Sequence, residues 1–442
     1  MASTYLSRTP ASAGNRKTWT FSAWIKRGIL GSSTIFTAGY NENNVATLKF
    51  DANDKISLFD YDGNTDYAIL TNRLFRDTSA WYHIVLAVDT TNATENNRVR
   101  LYINGVQETS LTTNTQPSQN YDGLYNSNIA HYIGRYGWNS NEYFDGSMTH
   151  VHFIDGTAYD ASTFGETDTD TGIWKPKSYT GSYGTNGFFL KFENSASFGT
   201  DSSPNANNFT VNGTMTQTID TPSNVFATLN PLQNLPSANT YSQGNNTVTY
   251  TVHNDLAEAT LGMTSGKYYW EQKFINATGG NNAMIGVGNE NAHRSAYVGA
   301  DTTGWSYYAV NGTKYHNGST SSYGATFTAG DIIGVAFDAD TRTIWFSKNG
   351  TWQNSATISE IGAGTTTNSA YTGMGSAGDL FLPVTSGYNG NVISWNFGNG
   401  YFGTTAVSSA ENPDDGIGIF EYDVPTGYKA LCTKSINAQE YS

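Results

Sequence analysis

Cysteine is almost missing: the 442-residue chain holds one, Cys432. That excludes a disulfide framework and any cysteine-based zinc site. Charge is scarce at 14% of residues, and basic charge scarcer, 23 Lys and Arg against 37 Asp and Glu, a formal net of −14. With no basic run, the chain is a poor match for a phosphate backbone, and no nucleic-acid partner is expected. No stretch approaches about 18 apolar residues, so no membrane insertion is expected. The opening MASTYLSRTPASAGNRKTW has no apolar segment of the secretory kind, so no signal peptide is expected. Long runs with apolar residues at i, i+3, i+4 and i+7 are also absent, which argues against a helical protein.

What is present points to an all-β chain. Aromatic residues make up 14% and glycine numbers 46, too much apolar payload for a disordered chain. Short runs of period two recur, such as Trp19–Ile25, Val99–Ile103, Ile332–Phe337 and Thr343–Phe346. Asn104-Gly105 and Asn349-Gly350 directly follow strands, where Asn-Gly supplies the positive φ of a two-residue hairpin turn. Many short strands with dense turn signals predict sandwiches.

The strands fall into two blocks, residues 1–212 and 241–402. Between them, 213–240 carries three of the ten prolines and little alternation, and reads as a surface linker. The remainder, 403–442, reads as a tail and a candidate docking segment. No repeat of fixed period is found. Trp19, Trp24, Trp81, Trp270, Trp345 and Trp395 lie in alternating strands and are expected in the core.

The first block resembles a laminin-G-like, concanavalin A-like jelly roll. The carriers are WTFSAWIKRG (19–28), WYHIVLAVD (81–89), VRLYINGV (99–106), IGR (133–135), YFDGSMTHVHFIDG (143–156) and LKFENSASFGTDSSPNANNFTVNG (190–213). The second resembles a SPRY domain, through GKYYWEQKF (266–274), AMIGVGNE (283–290), GDIIGVAFDADTRTIWFSKNGTW (330–352), LFLPVTS (380–386) and VISWNFG (392–398). These resemblances imply two concanavalin A-like jelly-roll sandwiches in tandem. The opening from Tyr5 to Gly28, the stretch from Phe153 to Phe192 and the closing VPTGYKALCTKSIN are similar to segments of marine tailed-phage virion proteins. That resemblance implies a virion surface protein, assembled in the host cytoplasm.

Candidate chemistry is thin. A glycosidase needs two carboxylates held about 5–10 Å apart across a groove. Glu271 has no partner at even spacing, and Glu142 and Asp145 would face opposite sides of a strand. Seven histidines are scattered, His83, His131, His150, His152, His253, His293 and His316. Only His150 and His152 share a strand face, as a weak metal pair or as part of a polar outer face with Val151 and Phe153 pointing inward. No nucleophile elbow or phosphate loop appears. Catalytic residues are therefore not assigned.

Laminin-G-like domains often carry one calcium ion. The resemblance therefore makes Asp201, Asn205 and Asn207 candidate ligands, in a loop that reads alternatively as a cluster of Asx turns. Glycan recognition needs aromatic faces beside amides and carboxylates. Tyr136, Trp138, Asn139 and Asn141 have that composition, as do Tyr121, Asp122 and Tyr125. In the second block Trp305, Tyr308, Tyr315 and His316 are candidates, since SPRY domains bind partners through loops at one end of the sandwich. The expected function is a structural, adhesive part of a phage virion, a tail fibre, spike or capsid decoration. Its expected partners are other virion proteins, a second copy of itself and a host surface glycan. A polysaccharide depolymerase and a bacterial adhesin module are the alternatives.

Overall fold

The computed structural model describes residues 3–63, 65–169, 172–232, 239–292 and 296–440. The chain forms two compact units. The first runs to Gln217 and includes Thr221–Ser223; the second takes Thr218–Asp220 and everything from Asn224.

In the first unit two antiparallel sheets face each other. The eight-stranded sheet has the spatial order Leu111–Thr115, Thr65–Thr71, Ile56–Asp62, Asn44–Phe50, Ser33–Asn41, His131–Ile133, Tyr5–Arg8, Thr210–Asn212. The six-stranded sheet runs Phe188–Leu190, Gly146–Asp155, Thr18–Arg27, Trp81–Asp89, Val99–Ile103, Val106–Gln107. Alternation decides the core. Phe21, Ile84, Leu86 and Leu101 of one sheet meet Phe36, Leu48, Leu58 and Ile69 of the other, all buried. Asn104 and Gly105 take φ of 49° and 85°, and the turn sets Ile103 opposite Val106.

The second unit repeats the plan. One sheet is ordered Thr240–Ser242, Thr247–Thr249, Asn391–Asn396, Lys267–Ala277, Ile332–Asp338, Thr343–Lys348, Thr351–Trp352. The other is Asp255–Glu258, Phe381–Gly387, Met284–Asn289, Gly304–Tyr308, Thr313–His316, Ser319–Ser322. Trp270, Trp395, Phe346 and Phe381 fill the space between them.

Each unit also has a third layer that strand alternation does not announce. In the first, Ala161, Phe164 and Tyr183, with Trp174 and Tyr179 beside them, cover Val85, Ala87 and Ile154 on the outer face of the six-stranded sheet. In the second, Phe226, Phe420, Tyr428, Ala430 and Cys432 cover Tyr269, Ala336 and Trp345.

Two expectations change here. The stretch read as a surface linker is largely built into the units. Met215 packs on the first core, while Phe226, Ala227 and Leu229 are at most 2% exposed within the second. Its residues 233–238 lie outside the described residues. Part of the 403–442 tail is built into the second unit. Lys429–Ala430 joins the sheet parallel to Tyr268–Tyr269, where the neighbouring strand has already ended at the pairing of Asn396 with Glu271. Unpaired backbone at that position drew the tail in. Two short helices also appear, Ile358–Gly362 and Thr433–Glu440. The first has a capping box, with Thr357 and Glu360 each bonding the other's backbone N–H.

Candidate ligand-binding faces

The segment Tyr136–Tyr143 lies on the outer face of the first unit's eight-stranded sheet. Arg135, almost fully buried, organises it. Its Nε donates to the Tyr136 carbonyl at 3.1 Å and its Nη2 to the Gly137 carbonyl at 2.8 Å. The guanidinium sits 4.1 Å from the Tyr132 ring centre and 4.7 Å from that of Tyr5. Gly137 packs tightly there, since a Cβ would lie 3.0 Å from Thr37 Oγ1 and 3.4 Å from Val45 Cγ2. The loop therefore rests on the hairpin that carries Tyr40. Tyr40 and Trp138 remain 57% and 40% exposed. Tyr136 is half-buried beneath and hydrogen-bonds Trp138; burial, then nearby Glu142, push its hydroxyl up. Glu142 pairs with Lys49 at 2.9 Å, and Asn139 and Asn141 are exposed. The exposed Trp138 ring, the exposed amides and a neutralised ion pair make a face suited to an uncharged polyhydroxyl ligand. Tyr40 was missed in the sequence because it lies near the end of a strand whose first seven residues are buried.

The Tyr121 group is different. Tyr125 is wholly buried, its ring stacked on Phe36 at 4.9 Å and its hydroxyl donating to the Phe36 carbonyl. It is a core residue, corrected from a candidate contact. The Tyr121 hydroxyl faces Asp60 at 3.1 Å and Asp66 at 2.9 Å, and Leu124 N–H donates to Asp60. Burial pushes Asp60 up to about 7. These bonds close one end of the sandwich; exposed Asp122 lies 3.7 Å from Lys17.

The calcium expectation does not fit the loop. Asp201 is 6% exposed. Its oxygens accept from the N–H groups of Phe189, Ser203 and Asn207 and from the Ser203 hydroxyl, at 2.7–2.8 Å. Asn207 Oδ1 accepts from Arg8, and the Asn205 amide donates to the Gly184 and Gly187 carbonyls. The oxygens a cation would need are turned to N–H donors, and Arg8 supplies the positive charge. Among the described residues no group of three or more His, Cys, Asp or Glu is placed to hold a metal.

His83, His131 and His152 are buried, His150 and His316 half-buried and His253 exposed; His293 lies outside the described residues. The strand register breaks between Thr149 and His152, with His150 at φ 49°. Val151 and Phe153 do point inward, but the opposite face is covered. His152 stacks on Phe189 at 3.9 Å and contacts the Tyr183 hydroxyl. His83 lies between Trp24 and Trp174; Trp174 Nε1 donates to its Nδ1, so Nε2 carries the proton and donates to Ser22 Oγ at 2.9 Å. A histidine in that tautomer cannot act as a base towards Ser22. Burial pushes His83 down to about 3. Glu271 is also fully buried, accepting from the Glu421 and Tyr422 N–H groups, the Tyr269 hydroxyl and the Asn396 amide. It fastens the C-terminal layer.

In the second unit the four candidates separate. Trp305 is 4% exposed and stacks on His316 at 4.7 Å, on the inner face against Phe381. Trp305 is corrected to a core position; half-buried His316 pairs with it across adjacent strands and turns to the same side. Tyr308 and Tyr315 lie on the outer face, 5.3 Å apart, and Tyr297 joins them 6.1 Å from Tyr315. Tyr297 was missed because it lies outside any strand pattern.

Comparison with known proteins divides along the same line. The profile of the concanavalin A-like lectin/glucanases superfamily matches residues 2–161, and that of the SPRY domain matches residues 267–400. SPRY domain-containing SOCS box protein 3 of Xenopus tropicalis is 29% identical over 94 residues, 20% of this chain and 26% of that protein. The Ran-binding proteins 9/10 homolog of Drosophila melanogaster is 30% identical over 120 residues, 25% of this chain and 12% of that one. The chain thus spans about a quarter or less of the length of these curated relatives. The crystal structure of the SPRY domain of human HERC1 is 24% identical, covering 36% of this chain and 92% of its own, with a TM-score of 0.29. With its all-β fold, the chain carries a concanavalin A-like jelly roll followed by a SPRY domain.

Proposed function

We propose that this chain is an adhesive structural protein of a tailed-phage virion, whose first unit binds a neutral host glycan and whose second docks on another protein. The observation that carries the binding reading is the exposed ring of Trp138, presented beside the exposed amides of Asn139 and Asn141 on a loop that Arg135 holds in place. Sugars lay their C–H faces on such rings, and Asn139 and Asn141 offer directional hydrogen bonds. The net charge of −14 disfavours capture of an anionic surface polymer. The virion assignment rests on the resemblance of the opening, middle and closing segments. The protein-docking role follows the SPRY match, whose relatives include proteins named for binding Ran.

Two measurements test it. Trp138→Ala should weaken binding of the purified chain to host polysaccharide about tenfold. It should leave stability within about 0.5 kcal/mol, as for a surface substitution. A large fall in thermal midpoint would mark Trp138 as structural and overturn the site. Gold-labelled antibody should decorate purified virions, and absence from virions would overturn the assignment. Release of oligosaccharides by the wild-type chain would replace adhesion with depolymerisation.

A further inference from the structure

One end of the first unit brings three oxygens together with one hydrogen too few. The Tyr121 hydroxyl lies 3.1 Å from Asp60 Oδ1 and 2.9 Å from Asp66 Oδ2. A hydroxyl has a single hydrogen and donates it to one carboxylate only. The other contact is a hydrogen bond only when that carboxyl carries a proton and donates to the Tyr121 oxygen; without the proton, lone pairs face each other. Burial decides which carboxyl holds it, since Asp60 is 0% exposed and Asp66 only half-buried. With the proton on Asp60, each member of the row Asp60, Tyr121, Asp66 donates to the next, and Asp60 Oδ2 still accepts the Leu124 N–H at 2.8 Å. The surroundings supply no substitute. Across the two neighbouring strands Asp60 faces Ala46 and Tyr67, and the buried Tyr67 hydroxyl has no hydrogen-bond partner among the described residues. The Tyr125 hydroxyl is turned to the Phe36 carbonyl. Arg16 acts on Asp60 through its charge, but its guanidinium donates to the Gly123 and Asp122 carbonyls, at 2.6 and 2.9 Å, and Lys17 lies by Asp122.

We propose that Asp60, Tyr121 and Asp66 form a proton-operated clasp, which holds the segment Tyr121–Leu124 on the end of the sandwich while the shared proton is present and lets it lift when the proton is lost. The segment is shaped for that closure. A Cβ on Gly123 would lie 2.9 Å from Asp60 Oδ2, so a side chain there would push the backbone off the carboxyl. Loss of the proton leaves a buried charge whose remaining donors, the Leu124 N–H and the Tyr121 hydroxyl, both belong to the segment, and the hydroxyl is contested by Asp66. Burial, with a smaller push from Asp66, raises Asp60 to about 7. Burial and the two carboxylates push the Tyr121 hydroxyl up, so it keeps its own hydrogen throughout. With the segment lifted, Asp60 meets water and returns towards its ordinary 3.8. A group raised in the closed state binds a proton that the open state gives up. The clasp is therefore tightest below about pH 4, loosens as pH rises and is loosest above about pH 7.

Hydrogen exchange of the full chain, read by mass spectrometry and corrected for the intrinsic effect of pH on exchange, tests it. Protection of residues 119–126 should rise by up to about tenfold per pH unit as pH falls from about 7 to about 5, the dependence set by one proton, and should be level above about pH 7. The strand Trp81–Asp89 of the same unit should not share the gain, which separates opening of the segment from unfolding of the whole unit. Asp60→Asn supplies a permanent donor towards Tyr121 and keeps an acceptor for Leu124, so its protection should be high and level across the range. Asp66→Asn, at a half-buried position that the fold tolerates more readily, gives the Tyr121 oxygen a donor without an added proton and should flatten the rise; it keeps the test alive should Asp60→Asn fail to fold. Protection of the wild-type segment that is level or falls from pH 7 to pH 5 overturns the clasp. So does a rise shared equally by Trp81–Asp89, or one that persists undiminished in either variant.

Discussion

The two units solve one problem with opposite chemistry. Each sandwich leaves one outer sheet face apolar and covers it with chain from outside that sheet. Under the cover each buries ionisable groups. In the first unit these include histidines kept neutral, His83 between two tryptophans and His152 against Phe189. In the second it is Glu271, which gathers the backbone N–H groups of the covering segment itself. A histidine under the cover only has to stay uncharged. A carboxyl that accepts the cover's N–H groups is the fastening. The first cover should therefore depend on packing, the second on one side chain.

Glu271→Ala breaks that comparison hardest. It strands the N–H groups of Glu421 and Tyr422 and the Asn396 amide, and each buried unsatisfied donor costs about 1–3 kcal/mol. The second unit should lose about 3 kcal/mol or more. Hydrogen exchange read by mass spectrometry should show the 417–432 segment losing protection while the first unit keeps its own. Equal loss in both units would show that the covers are not independently fastened.

Proton linkage should separate the units next. Burial pushes His83 to about 3 and His131 to about 4, from 6.5, and holds His152 well below 6.5. Below 6.5 the unfolded chain takes up protons that the native one refuses, so this stability is full above 6.5 and is lost as pH falls towards 4 and 3. Glu271 moves the other way, pushed by burial from 4.5 to about 7. Its native proton can be accommodated because the Tyr269 hydroxyl can turn round and accept. That contribution is full below 4.5 and lost as pH rises through about 7. Asp60 gives the first unit one term of the same sign, raised by burial from 3.8 to about 7. Three histidines outweigh it. Going from about pH 7 to about pH 5 should stabilise the second unit by about 2 kcal/mol and destabilise the first. Exchange protection followed unit by unit across that range checks it; parallel shifts would refute the contrast.

The strands, the Asn-Gly turns and the six core tryptophans were readable because period two and turn chemistry are local. The covers were not. Alternation tells which side of a strand a residue faces and nothing about whether distant chain will lie over it. That is why His152 read as a polar outer residue and why Glu271 was weighed only as a catalytic group. Trp305 misled for a related reason, since a tryptophan near a turn looks available until its pairing with His316 shows which face it takes. Composition pointed to Trp138 and Tyr315, which the structure leaves partly exposed, while Tyr40 and Tyr297 come into view only with the geometry.

The smallest effect sharpens the comparison most finely. Asp201 is also a buried carboxyl that gathers backbone N–H groups, those of Phe189, Ser203 and Asn207, so the first unit does own a fastening of the second unit's kind. It differs in having a cation at hand. Arg8 donates to the Asn207 side chain and to the Asn186 carbonyl, and its charge is felt at Asp201. If Arg8 fills the place the resemblance gave to calcium, the loop needs no metal. Arg8→Gln should then cost the first unit about 1–2 kcal/mol, the range for hydrogen bonds that involve a charged group at a half-buried site. Neither added calcium nor a chelator should move the wild-type midpoint. A calcium-dependent rise confined to the first unit would mean that Asp201 gives up its N–H partners for a cation, and the two fastenings would then be of different kinds after all. A rise that appears only in Arg8→Gln would make the guanidinium and the metal alternative occupants of one site.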